Sequence, residues 1–305
     1  MTRRTRPGRS RALRYGAGTS ALVLLICALI AGLSVWTLET VGPRVGGATE
    51  RSSGEVVRAE GRTVDVRWSA AGQHRTDTVA LAVPAPPVQT RTEVAYDPLE
   101  PSTVFIPGST ELAALDRATS GVAFSGLVAA VVLITGGWQV ISRRRLHRRP
   151  GQPVQVRRVR VQSGLLTRSW LELDSPLRWI PVHFDPVLVT LPAPTLVQLH
   201  GDPQRRGLAA AEVGGVWLDP SGPVRTTEPA GRRIDSPVRP DADALANSSW
   251  RRQLRVDAVL IAPAPVVGLL WVFLDGGGIL TWACATTVTA ALALWWAAMR
   301  GSDPT

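Results

Sequence analysis

The sequence predicts a membrane α+β protein: four transmembrane helices carrying two small antiparallel β barrel or sandwich domains. Four apolar windows free of Asp, Glu, Arg and His, arginine clusters at one end of each window, and short alternating strands in the two long intervals predict it together. Of 305 residues, 45% are hydrophobic and only 19% are charged, a balance that leans away from disorder and towards membrane. All 34 basic residues are Arg, so the positive charges do not titrate. Cys27 and Cys284 both lie inside apolar runs, which leaves no disulfide framework, Cys-rich zinc site or C-x-x-C pair.

Residues 1–17 form an Arg-rich tail with six arginines and no acid. The first span covers 18–38, long enough for about 30 Å of hydrocarbon at about 1.5 Å per helical residue. A secretory signal peptide begins the same way, but no A-x-A-like site follows Trp36, so an uncleaved anchor is expected. Residues 39–119 read as strands broken by turns: Gly54–Ala59, Thr63–Trp68, Thr76–Leu81 and Thr92–Tyr96. Val64, Val66 and Trp68 alternate with Asp65 and Arg67, the period of a half-buried strand. Ala70-Ala71-Gly72-Gln73 is the expected turn of the second hairpin, and Pro84-Ala85-Pro86-Pro87 a stiff connector.

After the strand ending in Val94-Ala95 comes Tyr96-Asp97-Pro98-Leu99-Glu100-Pro101. The order of an apolar strand after Gly54, an Arg-Trp hairpin strand, this Tyr-Asp-Pro-x-x-Pro turn and a Gly-containing apolar helix resembles a bacterial membrane-protein domain family of unknown function. The resemblance covers about residues 18–142 and implies a small β domain between two membrane helices, closed by that motif. It implies no activity. The Pro84–Val88 connector departs from the family's spacing. Tyr96, Asp97, Pro98 and Pro101 have a structural role in any case: an Asp before Pro is held extended and bonds nearby amides, while the prolines set the turn.

The second span covers 120–142, and residues 143–226 repeat the strand grammar over five Gly- and Pro-punctuated runs, a second β domain of five to seven strands. Residues 227–255 hold Pro, Asp and Arg with no apolar period and read as a polar linker. The third span, 256–275, contains Pro263 and Pro265 and is expected to be kinked; a buried soluble helix is the other reading of so short a run. A turn at 276–278 leads into the fourth span, 279–299, and a tail at 300–305.

Arginines also set the expected orientation. Six lie in 1–17, five in 143–149, three at Arg251, Arg252 and Arg255, and one at Arg300; four crossings place all of them on one side. Both termini and 143–255 are therefore expected in the cytoplasm, and 39–119 outside the cytoplasmic membrane. Trp36, Trp271 and Trp282 mark the outer level, and Trp138, Trp250, Trp295 and Trp296 the inner one, as an aromatic belt. These clusters exceed the formal net charge of +10, so no basic nucleic-acid face is left over. They should attract anionic headgroups by about 1 kcal/mol per Arg.

The sharpest chemical candidates are His183 with Asp185 and His200 with Asp202, two His-x-Asp pairs that place an imidazole and a carboxylate on one strand face and together offer four metal ligands. Each Asp precedes a Pro, so two strand-ending turns are the competing reading. Glu172 and Asp174 read as solvated positions. No nucleophile elbow, P-loop, dinucleotide fingerprint or H-E-x-x-H is present, and the apolar windows 18–38, 121–141, 258–274 and 279–299 carry no Asp, Glu, Arg or His for a proton path. The expected function is therefore a non-enzymatic interaction or envelope-associated protein using its two β domains to dock partners. The bilayer, a membrane or envelope protein and a second copy of the chain are the expected partners; nucleic acid and cofactors are not. A membrane-tethered sensor or metal-dependent enzyme acting through 143–226, and a transporter subunit, are the alternatives.

Overall fold

The computed structural model describes residues 11–70, 72–235 and 249–305. Four helical segments are long and apolar enough to cross a membrane: Arg11–Gly47, Thr110–His147, Trp250–Asp275 and Ile279–Arg300. Between them lie twelve strands in two antiparallel sheets among the described residues. The chain falls into two compact units, one built on each sheet.

Helices α1 (Arg11–Gly47) and α2 (Thr110–His147) run well past the apolar spans, because hydropathy marks only the part that suits hydrocarbon, whereas helical hydrogen bonding continues into polar turns. Thr37 and Thr40 hydroxyls donate to the carbonyls of Leu33 and Trp36 at 3.0 and 2.9 Å, and Glu111 in the first turn of α2 suits the helix dipole. The third segment is interrupted, as the prolines predict. It consists of α3 (Trp250–Asp257), a 3-10 turn over Ala258–Ile261 and α4 (Ala264–Asp275). Ser249 caps α3 by accepting from the Arg252 N–H. Past the break, the Trp282 indole of α5 (Ile279–Arg300) donates to the Pro265 carbonyl at 3.1 Å.

The first sheet runs β3 (Gln73–Ala80), β2 (Thr63–Ala70), β1 (Glu50–Glu60), β4 (Arg91–Tyr96), β5 (Val104–Phe105). Alternation in β2 buries Val64, Val66 and Trp68, which pack with Val56, Val79 and Val94. The Trp68 indole donates to Asp77 at 2.7 Å and its ring sits 4.7 Å from Tyr96. The proline connector returns the chain to β1 rather than to β3: the Gln89 N–H donates to Val56 O at 2.7 Å, and the Val56 N–H to Thr90 O at 3.0 Å. Past the two edge strands, Leu81 bridges Ser109 and the Ala82 N–H donates to Gly108 O. Ala71, in the expected second turn, lies outside the described residues.

The second sheet has seven strands, within the expected range. Its order is β11 (Val216–Leu218), β10 (Ala210–Val213), β9 (Thr195–His200), β6 (Gly151–Ser163), β7 (Leu166–Asp174), β8 (Leu177–Val182), with β12 (Arg232–Asp235) also on β6. The long β6 serves β9 with its first half, β12 with its second, and β7 on its other edge. Past β11 the chain reaches β8 through Val182–Pro220 and Trp179–Arg225 bridges. Leu171, Leu173, Ile180, Val182, Phe184 and Leu199 form the centre of the core.

Two expectations are corrected here. The stretch read as a linker contributes β12, and Glu172, read as solvated, is buried. One group of charges accounts for both: the Arg233 guanidinium reaches Glu172 at 2.8 Å, Asp235 at 2.8 Å and Glu228 at 3.2 Å. These bonds hold its pKa above the ordinary arginine value, Glu172 first. A strand held by ion pairs shows no apolar period. Residues 236–248 of the expected linker lie outside the described residues.

Candidate functional site

The four ligand candidates occupy two separate turns. Asp185 caps the 3-10 turn Pro186–Thr190 by accepting from the Val187 N–H at 3.0 Å, and burial pushes its carboxyl above the usual carboxylate range despite that bond. Asp202 accepts from the Gln204 N–H at 2.8 Å and pairs with Arg205 at 3.3 Å. His183 and His200 are both buried. Among the described residues, no group of three or more His, Cys, Asp or Glu side chains assembles to hold a metal ion.

Asp97 makes the same local bond, accepting from the Leu99 N–H at 2.8 Å. Gly47, ending α1, lies so close that a Cβ there would stand 2.7 Å from Asp97 Oδ2. Asp303, also before a proline, accepts from the Thr305 N–H at 3.0 Å. Tyr96-Asp97-Pro98 and Phe184-Asp185-Pro186 thus share the local bond of the Asp-Pro dipeptide, whose extended Asp aims its carboxylate at the amide two residues on.

Asp219-Pro220 is different. Its carboxylate is 2% exposed, and instead of turning to its own backbone it faces the last turns of α2. His147 Nε2 donates to Oδ1 at 2.9 Å and Arg143 Nε lies 3.8 Å from Oδ2. Arg143 and His147 are four residues apart and share a helix face. Taking the carboxylate out of water costs several kcal/mol, which the Arg143 charge and the His147 hydrogen bond offset. Trp217 stacks on the His147 ring at 3.9 Å and lies 4.4 Å from the ring of His200. His200 Nδ1 donates to the Arg149 carbonyl at 2.8 Å, and its Nε2 stands 3.4 Å from Glu212. Two of the chain's four histidines, His147 and His200, therefore gather where α2 meets the sheet.

His183 completes the cluster: its main-chain N–H donates to Asp219 O at 2.9 Å, and its buried imidazole Nε2 has no hydrogen-bond partner. Burial pushes this imidazole well below its ordinary pKa, and the charges of Arg143 and Arg168 push it further. As pH falls through the ordinary imidazole range near 6.5, the unfolded chain takes up a proton that the folded chain refuses. Stability should therefore drop on acidification by up to about 1.4 kcal/mol per pH unit. Unfolding midpoints of the detergent-solubilised wild type and H183Q between pH 8 and pH 5 test this. The substitution is expected to flatten the curve below pH 7, and equal slopes would rule it out.

A second buried network follows α5. Gly301, at φ +73°, turns the chain so closely over the sheet that a Cβ there would come within 3.1 Å of the His183 Cα. Beyond it the Asp303 N–H donates to Thr167 O at 2.9 Å, while its carboxylate meets Arg158 at 2.7 Å and accepts from the Ser169 hydroxyl. The Ser302 hydroxyl donates to Asp257 at 2.8 Å, and Asp257 also accepts from Tyr15 at 2.6 Å. Gln253 donates to the Ser302 carbonyl at 3.1 Å. Residues of α1, α3, β6 and β7 thus converge on one short segment, 301–305, where only a tail is expected from the sequence.

Neither network follows from local sequence pattern, because its partners lie far apart in the chain. For Asp219 a signal existed: Val216-Trp217-Leu218-Asp219-Pro220 ends a strand in the same dipeptide as the two sites that were singled out, and Arg143 and His147 stand at helical spacing. Their chemistry is that of a clamp, carboxylates with fixed cationic partners in a dry setting, joining helices to sheet. Comparison of the chain with family models, with curated proteins and with solved structures yields no match.

Proposed function

We propose that this chain is a docking protein of the cytoplasmic membrane, with its termini and seven-stranded sheet in the cytoplasm, its five-stranded sheet outside, and no enzymatic role. The orientation rests on the arginine clusters, and the layout of residues 18–142 on the resemblance as well. The observation that carries docking is the edge of β3: it pairs with β2 along Gln73–Ala80, and among the described residues no strand pairs with its other side. Gln73, His74, Thr76 and Thr78 on this strand are exposed. Such an edge offers a row of backbone donors and acceptors to a partner strand, and the buried clamps hold the membrane helices to the cytoplasmic sheet while the outer domain is engaged.

The test uses single cysteines at Arg75, on that edge, and at Glu100, in the exposed turn after Asp97, in a background lacking Cys27 and Cys284. Both should react with a membrane-impermeant thiol reagent in intact cells. A photocrosslinker at position 75 should capture one defined protein that position 100 does not. Labelling only after permeabilisation would overturn the orientation, and outward labelling with no adduct specific to position 75 would overturn docking at this edge.

A further inference from the structure

Where α2 leaves its apolar stretch, a cavity of about 420 Å³ opens between the helix end and the loop after β9. Ser142, Arg145, Leu146 and Arg149 line one wall, at intervals of three and four that place them on one face of the helix and its immediate continuation. Arg205 and Arg206 supply the facing wall, with Asp202 beside them. Arg205 pairs with Asp202 at 3.3 Å, and Arg145, Arg149 and Arg206 make no ion pair with any described residue. Four arginines therefore line one space with a single carboxylate among them.

The arginines on α2 belong to the run that any membrane helix carries at its retained end. Arg205 and Arg206 do not. They arrive from a loop more than fifty residues further along the chain, shaped by Gly207 N–H donation to Arg205 O at 2.7 Å and by Val224 N–H donation to Gly207 O at 2.8 Å. Folding adds like charge to a place that is already basic, at a cost in repulsion that an anionic occupant relieves. Guanidinium groups bind phosphate through paired hydrogen bonds, and a cavity of this size suits a small headgroup. On the membrane side of Ser142, Trp138 and Ile141, four residues before Ser142 and Arg145 on the same face of α2, are exposed apolar side chains, a surface for acyl chains leading up to the cavity.

We propose that this cavity holds the phosphate of an anionic phospholipid headgroup, with Arg205 and Arg206 closing over it from the sheet side. The site does not depend on docking at β3, nor on which leaflet faces this sheet. A soluble phosphate shares the chemistry but not the apolar approach.

Titration calorimetry on the full chain in a non-ionic detergent tests the site, with dihexanoyl phosphatidylglycerol, dihexanoyl phosphatidylcholine and inorganic phosphate as separate probes below their micellar concentrations. Phosphatidylglycerol should bind, inorganic phosphate more weakly, and phosphatidylcholine not measurably. R205Q/R206Q should weaken phosphatidylglycerol binding roughly fivefold per arginine removed, the effect expected of a basic side chain at an anionic surface. R144Q/R148Q, which removes the same charge from the same run outside the cavity, should leave binding unchanged. R145Q/R149Q repeats the test from the helix wall should the loop variant fail to fold. Equal losses from the inside and outside pairs would reduce the effect to diffuse charge and overturn the site. Phosphate binding as tight as the lipid's, or equal binding of phosphatidylcholine, would overturn the lipid headgroup as its occupant.

Discussion

Replacing Asp303 with alanine should cost the unit built on the seven-stranded sheet about 3–5 kcal/mol, the penalty for leaving one partner of a buried pair without the other. The carboxylate is fully buried against Arg158 at 2.7 Å, so water does not reach the stranded guanidinium to solvate it. Ser169 would lose its acceptor as well, and the segment after α5 would lose its strongest hold on β6 and β7. Chemical unfolding in detergent, followed by the fluorescence of buried Trp170 and Trp179, measures the loss. The doubly apolar variant R158M/D303L should regain most of it, since removing both charges also removes both desolvation penalties. A D303A protein as stable as the wild type would show that this segment does not hold the sheet.

Removing Asp219 should have an effect of similar size by the same physics, at a different place. In D219A, the buried Arg143 guanidinium would lose its counterion and His147 its acceptor next to the end of the apolar stretch, and the expected loss is again about 3–5 kcal/mol. Salt separates this contact from surface pairs. Raising ionic strength from about 0.1 to 1 M shortens the screening length from about 10 to about 3 Å, which should erase what the exposed Arg51–Glu93 pair contributes and leave the D219A deficit largely intact. A deficit that vanishes in high salt would mean that the Asp219 carboxylate is solvated rather than clamped.

How legible each element was depends on whether its cause lies near it in the chain. The strand holding Val64, Val66 and Trp68 could be read because burial on one face of a sheet imposes a period of two, which those residues display. The break in the third span could be read because Pro263 and Pro265 lack the donors that a continuous helix needs. Residues 232–235 could not, since Arg233 joins the sheet through Glu172, some sixty residues earlier, and an ion pair leaves no periodic trace. His183 and His200 were noticed for the right residue types and the wrong partners: their aspartates serve the adjacent turns, while the carboxylate beside His147 comes from Asp219.

By itself, the sequence determined where the chain can cross a bilayer, which stretches alternate as strands and how Asp97 shapes its turn. These depend on apolar length, on period and on a carboxylate bonding an amide two residues away, all of them local. Only the tertiary structure decided that Asp219 belongs to α2, that Asp303 belongs to Arg158 and that Arg205 and Arg206 line one cavity with Arg145 and Arg149. Charges find partners through space: once the chain removes a carboxylate from water, whichever cation the fold brings beside it becomes its counterion, however far away it lies in sequence.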